Sequence, residues 1–285
     1  MSPGYVLNLG RVPYLEAWEL QRSIAGAVSQ GAIPDTVILL EHPPVITLGR
    51  RTEEDELHLP DDAEVEIVET DRGGKSTYHG PGQLVCYPIL DLTRHGQDVK
   101  RYCRDLEEAL IRTLAAVGIE ATRIEGLTGI WVQPSAVSGA PLGSGGRGDS
   151  ATSTAPRVER SQRRERSAEP GFARREPTAA RGGGPPRKIA SIGVHISKWV
   201  TTHGYALNVD LDPAPFTDWI TACGLEAAAF TTVAHELGRP VSVDELRPHA
   251  AHALGEIFGL ELEELPAEDG HGLWPQPVHA KLAAS

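Results

Sequence analysis

Arg72 to Gln83 reads Arg-Gly-Gly-Lys-Ser-Thr-Tyr-His-Gly-Pro-Gly-Gln, a stretch that combines four glycines, one proline and a run of hydrogen-bond donors. Gly73, Gly74, Gly80 and Gly82 can take positive φ and let a ligand come close to the main chain, while Pro81 removes one N–H and stiffens the exit. This composition predicts a loop that holds a ligand rather than one that packs in a core. Within it, Gly74-Lys75-Ser76 looks like the end of a nucleotide-binding phosphate loop. That motif needs a glycine where this chain has Glu69, and a following helix that Pro81 and Gly82 forbid, so ATP hydrolysis through this loop is excluded.

Two further stretches set a reactive side chain near glycine. One runs Lys188-Ile-Ala-Ser-Ile-Gly-Val-His-Ile and on to His203-Gly-Tyr-Ala-Leu-Asn208-Val; the other is Thr221-Ala-Cys223-Gly-Leu225. Only five lysines stand against 22 arginines, so a lysine opening a strand at the lip of a loop calls for a reason beyond solubility. Lysine can lose its proton, and arginine cannot. A free cysteine is more often a small buried apolar residue than a nucleophile, and Cys86, in an apolar run, and Cys103, on a helix, are read that way. The histidines have no cysteine or carboxylate at ligand spacing, so neither a metal site nor a cofactor is predicted.

The elements that must position these groups are legible from periodicity. Leu15, Trp18, Leu20, Ile24 and Val28 predict a helix near 14–29, and Val99, Tyr102, Leu106, Leu110, Leu114 and Val117 predict another that ends at Gly118. Strands are expected at 36–40, 64–69, 84–92, 129–132, 188–200 and 204–211. A last helix should span 243–258, with Ser242 as its N-cap. Residues 134–187 change character, rich in Gly, Ser, Ala, Pro and Arg and poor in aliphatics, and are expected to be a disordered insertion in the hairpin formed by the strands at 129–132 and 188–200. Lengthening a turn costs only the logarithm of its length. The insertion carries ten Arg, one Asp and four Glu, or +5, which leaves −17 of the net −12 for the remainder; a solvated spacer is favoured over a nucleic-acid arm. The organisation is thus one catalytic domain, 1–133 with 188–270, the insertion, and a tail, 271–285. Its fold class is α+β with a mixed, largely antiparallel sheet flanked by helices.

At 285 residues with 40% hydrophobic content the chain can bury a sizeable core. A net charge of −12 and a pI near 5.4 argue against nucleic acid. Three cysteines, Cys86, Cys103 and Cys223, form neither a metal-ligand spacing nor an even disulfide framework, which fits a reducing compartment. With no leader-like start and no apolar run of membrane length, the expected location is the cytoplasm, away from any membrane.

Taken in order, Arg72-Gly-Gly-x-x-Thr-x-His-Gly-Pro-Gly-Gln83, Lys188-Ile-Ala-x-Ile-Gly, His203-Gly-x-Ala-Leu-Asn-Val and Ala222-Cys-Gly-Leu, with Glu41-His-Pro-Pro-Val-Ile-Thr47-Leu-Gly before them, closely resemble the lipoyl(octanoyl) transferase family. The resemblance covers nearly all of the chain outside the insertion and the last few residues. It implies a fold shared with lipoate and biotin protein ligases, and transfer of an octanoyl group from octanoyl-acyl carrier protein to a lysine of a lipoyl domain. The implied acceptors are the lipoyl domains of 2-oxoacid dehydrogenase complexes and the glycine cleavage H protein. Cys223 matches the nucleophile that becomes an acyl thioester, and Lys188 the lysine that lowers the thiol's pKa. Arg72, Gly73, Gly74, Lys75, Ser76, Thr77, Tyr78 and His79, then Ser191, Ile192 and Gly193, then Gly204, Tyr205 and Ala206, match acyl-substrate contacts. The long insertion departs from the family, where a short turn precedes that lysine.

The chemistry is consistent with that match. A free thiol of pKa about 8.5 is mostly protonated at neutral pH and only its thiolate attacks well, so Cys223 needs a proton acceptor, and Lys188 is predicted to be it. Thioester exchange is nearly neutral and thioester to amide is downhill, so no ATP is required. Backbone N–H groups near Cys223 and Gly224 or along the glycine loop are candidate donors to the oxyanion. His79 is expected to position the acyl carbonyl or hold the loop, and His203 to be structural. Lys75 is expected to be a solvated cation, or to join Arg50, Arg51 and Arg72 in a basic rim suited to an acidic carrier. Two alternatives stay open: an ATP-dependent lipoate or biotin ligase on the same fold, and a non-catalytic acyl-carrier-binding protein.

Overall fold

The computed structural model describes residues 1–60, 63, 65–133, 184–220 and 230–265. Eight strands form the main sheet: β1 (Ser2–Arg11), β2 (Asp35–Glu41), β6 (Gln83–Ile89), β7 (Ala121–Ile124), β8 (Leu127–Val132), β9 (Arg187–Ser197), β10 (Val200–Asn208) and β11 (Leu260–Leu265), in the order β11-β1-β2-β6-β10-β9-β8-β7. A second sheet holds β3 (Val45–Leu48) between β4 (Glu66–Glu69) and β5 (Thr77–His79). Among the described residues, the main-sheet pairs β11–β1 and β1–β2 are parallel and the others antiparallel. The architecture is α+β with a mixed, largely antiparallel sheet flanked by helices, as the sequence predicts.

Each helix buries the face its periodicity dictates. Helix α1 (Tyr14–Ser29) is the crossover that joins parallel β1 and β2 and buries Tyr14, Ala17, Leu20, Gln21, Ile24 and Val28. Helix α2 (Val99–Ala116) is capped by Asp98, which accepts from the N–H groups of Lys100 and Arg101, and packs with α5 (Val243–Phe258). Short helices α3 (Pro215–Asp218) and α4 (Val233–Leu237) follow β10. Central strand β2 is buried on both faces: Val37 and Leu39 pack with α2 and α5, Ile38 and Leu40 with α1.

The structure departs from the sequence expectations at several places. Leu15 and Val99 are 47% and 42% exposed; at about 100° per residue Leu15 points away from the stripe of Tyr14, Ala17, Leu20 and Ile24, whereas Val99 keeps the angular position of Leu106 and Leu110 but is the first residue of its helix. The strand expected at 188–200 ends at Ser197, because Lys198 and Trp199 both take positive φ, 50° and 67°, and reverse the chain as a two-residue hairpin turn. Strand β10 therefore starts at Val200 rather than Gly204. The strand expected from 64 begins at Glu66, and β6 ends at Ile89 rather than at Leu92. Strands β8 and β9 do pair antiparallel, Val132 opposite Arg187, so the insertion joins neighbouring strands and its expected end at 187 gives way to a strand starting there. The disorder expected of 134–187 concerns residues that, up to 183, lie outside the described ones, as does the tail 271–285. No helix among the described residues is long and apolar enough to cross a membrane.

Candidate active site

Pairing register brings the small residues of two distant motifs together. Gly204 of β10 faces Gly193 of β9, Ala206 faces Ser191, and Ala206 also faces Val85 of β6. Paired residues share a face of a sheet, and this is the face on which Val85, Tyr87 and Ala206 pack toward α1. Small side chains there leave room. The glycine loop crosses above, with Gly73 N–H donating to the Val194 carbonyl at 3.0 Å. A Cβ on Gly193 would lie 3.0 Å from the Gly73 oxygen, so a side chain at 193 would press the glycine loop outward by a few tenths of an ångström. The result is a cavity of about 720 Å³, in the range of small-molecule sites.

Arg72, Gly73, Gly74, Lys75, Ser76, Thr77, His79, Ser191, Ile192, Gly193, Gly204, Tyr205, Ala206 and Lys188 all line this cavity. Tyr78 does not. It stands edge-on to Phe216 and Trp219, at 5.8 and 5.7 Å, inside the core. Ile192 and Tyr205 line the cavity too, although their side chains belong to the core packed with α2 and α5. Of the four loop glycines free to take positive φ, Gly74 and Gly82 do, at 95° and 84°.

Two charges predicted at the rim are instead spent on shaping the loop. The Arg72 side chain is buried; Nε and Nη2 donate to Thr47 Oγ1 at 3.1 and 2.8 Å, Nη2 to the Thr47 carbonyl at 2.6 Å, and Nη1 to the carbonyls of Gly73 and Lys75 at 3.1 and 2.8 Å. Lys75 is not a solvated cation: it pairs with the buried Glu56 carboxylate and, at 3.4 Å, with Glu53. Glu56 also accepts from Ser76 N–H and Oγ at 3.3 and 3.0 Å. Burial alone would raise the Glu56 pKa, but the bonds from Lys75 and Ser76 hold it below the usual carboxylate value. Arg50 and Arg51 remain exposed, and Arg51 lines the cavity.

A hydrogen-bonded chain crosses the site from this loop. Thr47 Oγ1, already accepting from Arg72, offers its own proton to His79 Nε2 at 3.5 Å; His79 Nδ1–H donates to Gln83 Oε1 at 2.7 Å. Gln83 Nε2 donates to Asn208 Oδ1 at 3.0 Å, and Asn208 Nδ2 to the Thr231 carbonyl at 3.2 Å. Burial, aided by the neighbouring His42 and Arg72, pushes the His79 pKa well below that of a free imidazole, which keeps it neutral in this chain. His203, expected to be structural, also lines the cavity. Its backbone is left-handed, φ 56°, with its N–H bonded to Gln21 Oε1 at 2.7 Å; Nε2–H donates to Asp71 at 2.7 Å and Nδ1 accepts from the Tyr14 hydroxyl at 3.4 Å. Burial lowers its pKa to about 4. Tyr14, Tyr87, Trp131, Phe230 and Cys103 line the cavity as well and were not anticipated. Burial pushes the thiols of Cys103 and the core residue Cys86 up, away from thiolate.

Lys188 is 5% exposed and is the second residue of β9, opposite Trp131, at a bulge in the β8–β9 pairing. Its Nζ lies 5.7 Å from the Trp131 ring centre. The stem passes over Gly129, φ 110°, where a Cβ would stand 2.8 Å from Lys188 Cε and 2.4 Å from the Ala190 oxygen; a glycine inside a strand has this meaning of close approach. Cys223, with the whole Thr221–Leu225 motif and Gly224, lies outside the described residues. The chain on either side of that segment is anchored. Buried Ile220 bridges to Leu57, while Phe230 bridges to Lys188 and Thr231 N–H donates to the Lys188 carbonyl at 3.0 Å.

Residues 13–255 match the family model described as lipoyl protein ligase A/B catalytic domain. An octanoyltransferase of Streptomyces coelicolor is 44% identical over 248 residues, 87% of this chain and 89% of that protein. One of Chloroflexus aurantiacus is 39% identical over 259 residues, 89% and 93% of the two chains. Among solved structures, a bipartite lipoate protein ligase of Thermoplasma acidophilum aligns with a TM-score of 0.62 at 14% identity, covering 100% of this chain and 91% of that one. Lipoate-protein ligase A bound with ATP does so with 0.62 at 15%, covering 99% and 93%. At such identity these structures share the fold and no more. With matches of this extent in sequence, the chain belongs to the lipoyl protein ligase A/B catalytic-domain family.

Proposed function

We propose that this chain is an octanoyltransferase that accepts an octanoyl group from octanoyl-acyl carrier protein on Cys223 and passes it to a lysine of lipoyl domains, those of 2-oxoacid dehydrogenase complexes and the glycine cleavage H protein. The relatives named above support the octanoyl group. The observation that carries the site is the meeting at one cavity of buried Lys188, the glycine loop, and the chain that leaves the Cys223 segment, through Phe230, next to which Thr231 N–H bonds the Lys188 carbonyl. Cys86 and Cys103 are free thiols, which fits work in the reducing cytoplasm.

In the first half-reaction Lys188 takes the Cys223 proton, the thiolate adds to the donor's thioester carbon, and the carrier thiol departs with the proton that Lys188 returns. The octanoyl group is then a thioester on Cys223. In the second, the acceptor lysine, once deprotonated, attacks that carbon; its surplus proton passes by way of Lys188 to the departing sulfur, and an amide and a free thiol remain. No bond to phosphate forms or breaks. Neutral His79, held by Thr47 and Gln83, keeps the loop above the sheet and the acyl carbonyl in register.

The test is intact mass after incubation with octanoyl carrier protein in the absence of ATP. An octanoyl adduct is expected that disappears when lipoyl domain is added. Cys223→Ser should abolish it and Lys188→Arg should slow its formation greatly, since arginine cannot accept the proton. An adduct that needs ATP would favour a ligase, the activity of its structural relatives. Binding of the carrier that survives Cys223→Ser, with no adduct in the parent protein, would favour a non-catalytic carrier-binding role.

A further inference from the structure

Thr231 is buried, 3% exposed, and each of its polar groups is taken by a different element. Its N–H donates to the Lys188 carbonyl on β9 at 3.0 Å, its carbonyl accepts from Asn208 on β10 at 3.2 Å, and its hydroxyl donates to Glu236 on α4. The same Glu236 carboxylate holds Arg187 Nη2 at 2.9 and 3.1 Å, while Arg187 Nη1 donates to His235 Nε2 at 2.9 Å. Arg187 and Lys188 are consecutive. A closed circuit results: Lys188 to Thr231 through the main chain, Thr231 to Glu236 through the hydroxyl, Glu236 to Arg187 through an ion pair, and Arg187 to Lys188 through the peptide bond.

We propose that Glu236 is a positioning residue for the transfer, fixing the start of β9, and hence the Lys188 amine, against the chain that leaves the Cys223 segment. The proposal rests on the reading of Lys188 and Cys223 as the reacting pair. Proton transfer between an amine and a thiol demands hydrogen-bond distance, and a misplacement of about 1 Å can cost on the order of a hundredfold in rate. Main-chain contacts already tie Lys188 to the chain after the Cys223 segment, through the Phe230 bridge and the Thr231 N–H, and to Trp131 of β8. The carboxylate adds a side-chain tie to Thr231 on one side and to Arg187 on the other, and one short helix delivers it: α4 is capped by Thr232, whose hydroxyl accepts from His235 N–H at 3.1 Å. Threonine at 231 also has a stated reason, since only a hydroxyl can reach Glu236 while the N–H serves Lys188.

The experiment pairs kinetics with thiol titration. Glu236→Ala is expected to lower kcat about tenfold to a hundredfold with the KM for octanoyl carrier protein within about twofold. The pH midpoint for alkylation of Cys223 by iodoacetamide should rise toward the free-thiol value of about 8.5. Thr231→Val should reproduce both changes and Thr231→Ser should restore parent behaviour; if Glu236→Ala does not fold, Glu236→Gln and Thr231→Val carry the same comparison. A kcat within twofold of the parent, or an alkylation midpoint unmoved in folded variants, overturns the proposal. If the parent protein forms no octanoyl adduct, the assigned transfer fails instead, and the alkylation midpoint still decides whether Glu236 governs the thiol.

Discussion

Arginine at position 72 is explained by its fork of donors. Three nitrogens reach Thr47 and the carbonyls of Gly73 and Lys75, a span that a single ammonium on a flexible stem cannot copy. Arg72→Lys is expected to cost about 1–3 kcal/mol through carbonyls left without donors, and to raise the KM for the acyl donor as the loop loosens. An unchanged KM would mean that the loop holds its shape without the guanidinium. The residues of this loop were legible because the motif is local: glycines, a histidine and donors stand within a dozen positions. Tyr14, Tyr87, Trp131 and Phe230 were not, since only strand register and chain crossing bring them to the cavity. Tyr78 could have been found. Side chains alternate along a strand, so Thr77 and His79 at the cavity put the residue between them into the core.

At the scale of elements, local signals again separate what the sequence reveals from what it hides. Helix α5 runs over the expected 243–258, with the Ser242 hydroxyl accepting from Glu245 N–H at 3.3 Å, because caps and 3.6-residue periodicity are written in adjacent residues. Strand β1 escaped notice: Pro3, Gly4, Asn8 and Gly10 dilute its apolar residues. The turn at Lys198-Trp199 escaped because two-residue hairpins are signalled by Asn-Gly or Asp-Gly, and here two ordinary side chains carry the left-handed backbone. That strain is removable. Replacing Lys198→Asn together with Trp199→Gly should stabilise the fold by about 1 kcal/mol or more in urea titration. Trp199 is 40% exposed and its carbonyl, which accepts from Leu92 N–H at 2.8 Å, is kept. Neither side chain lines the cavity, so transfer rates should hold; a loss of stability would show that the indole packs more than its exposure implies.

Across the whole molecule, the main sheet carries a core on each face and opens the candidate cavity where β9 and β10 present Ser191, Gly193, Gly204 and Ala206 to the α1 side, and buried histidines collect along that side. His42 donates Nδ1–H to the Val12 carbonyl and accepts from the Tyr87 hydroxyl, both at 2.7 Å; its ring lies 5.1 Å from Tyr14 and 5.7 Å from His79. Burial drives His42 and His203 down to about 4 from a free value of 6.5, and His79 well below it too. The unfolded chain therefore binds protons that the folded one refuses once the pH drops below about 6.5. Stability must fall with pH from there toward 4, each histidine adding up to about 1.4 kcal/mol per pH unit. Glu56 and Asp71, both held below their free carboxylate values against the effect of burial by their hydrogen bonds, extend the loss to lower pH, where their unfolded forms take up protons. Urea midpoints measured from pH 7.5 to 4.5 should show a slope approaching three protons, and His42→Gln should reduce it by about one. A midpoint that stays level between pH 7 and 5 would mean that water reaches these rings and that the cavity wall is looser than the hydrogen bonds of His42, His79 and His203 imply.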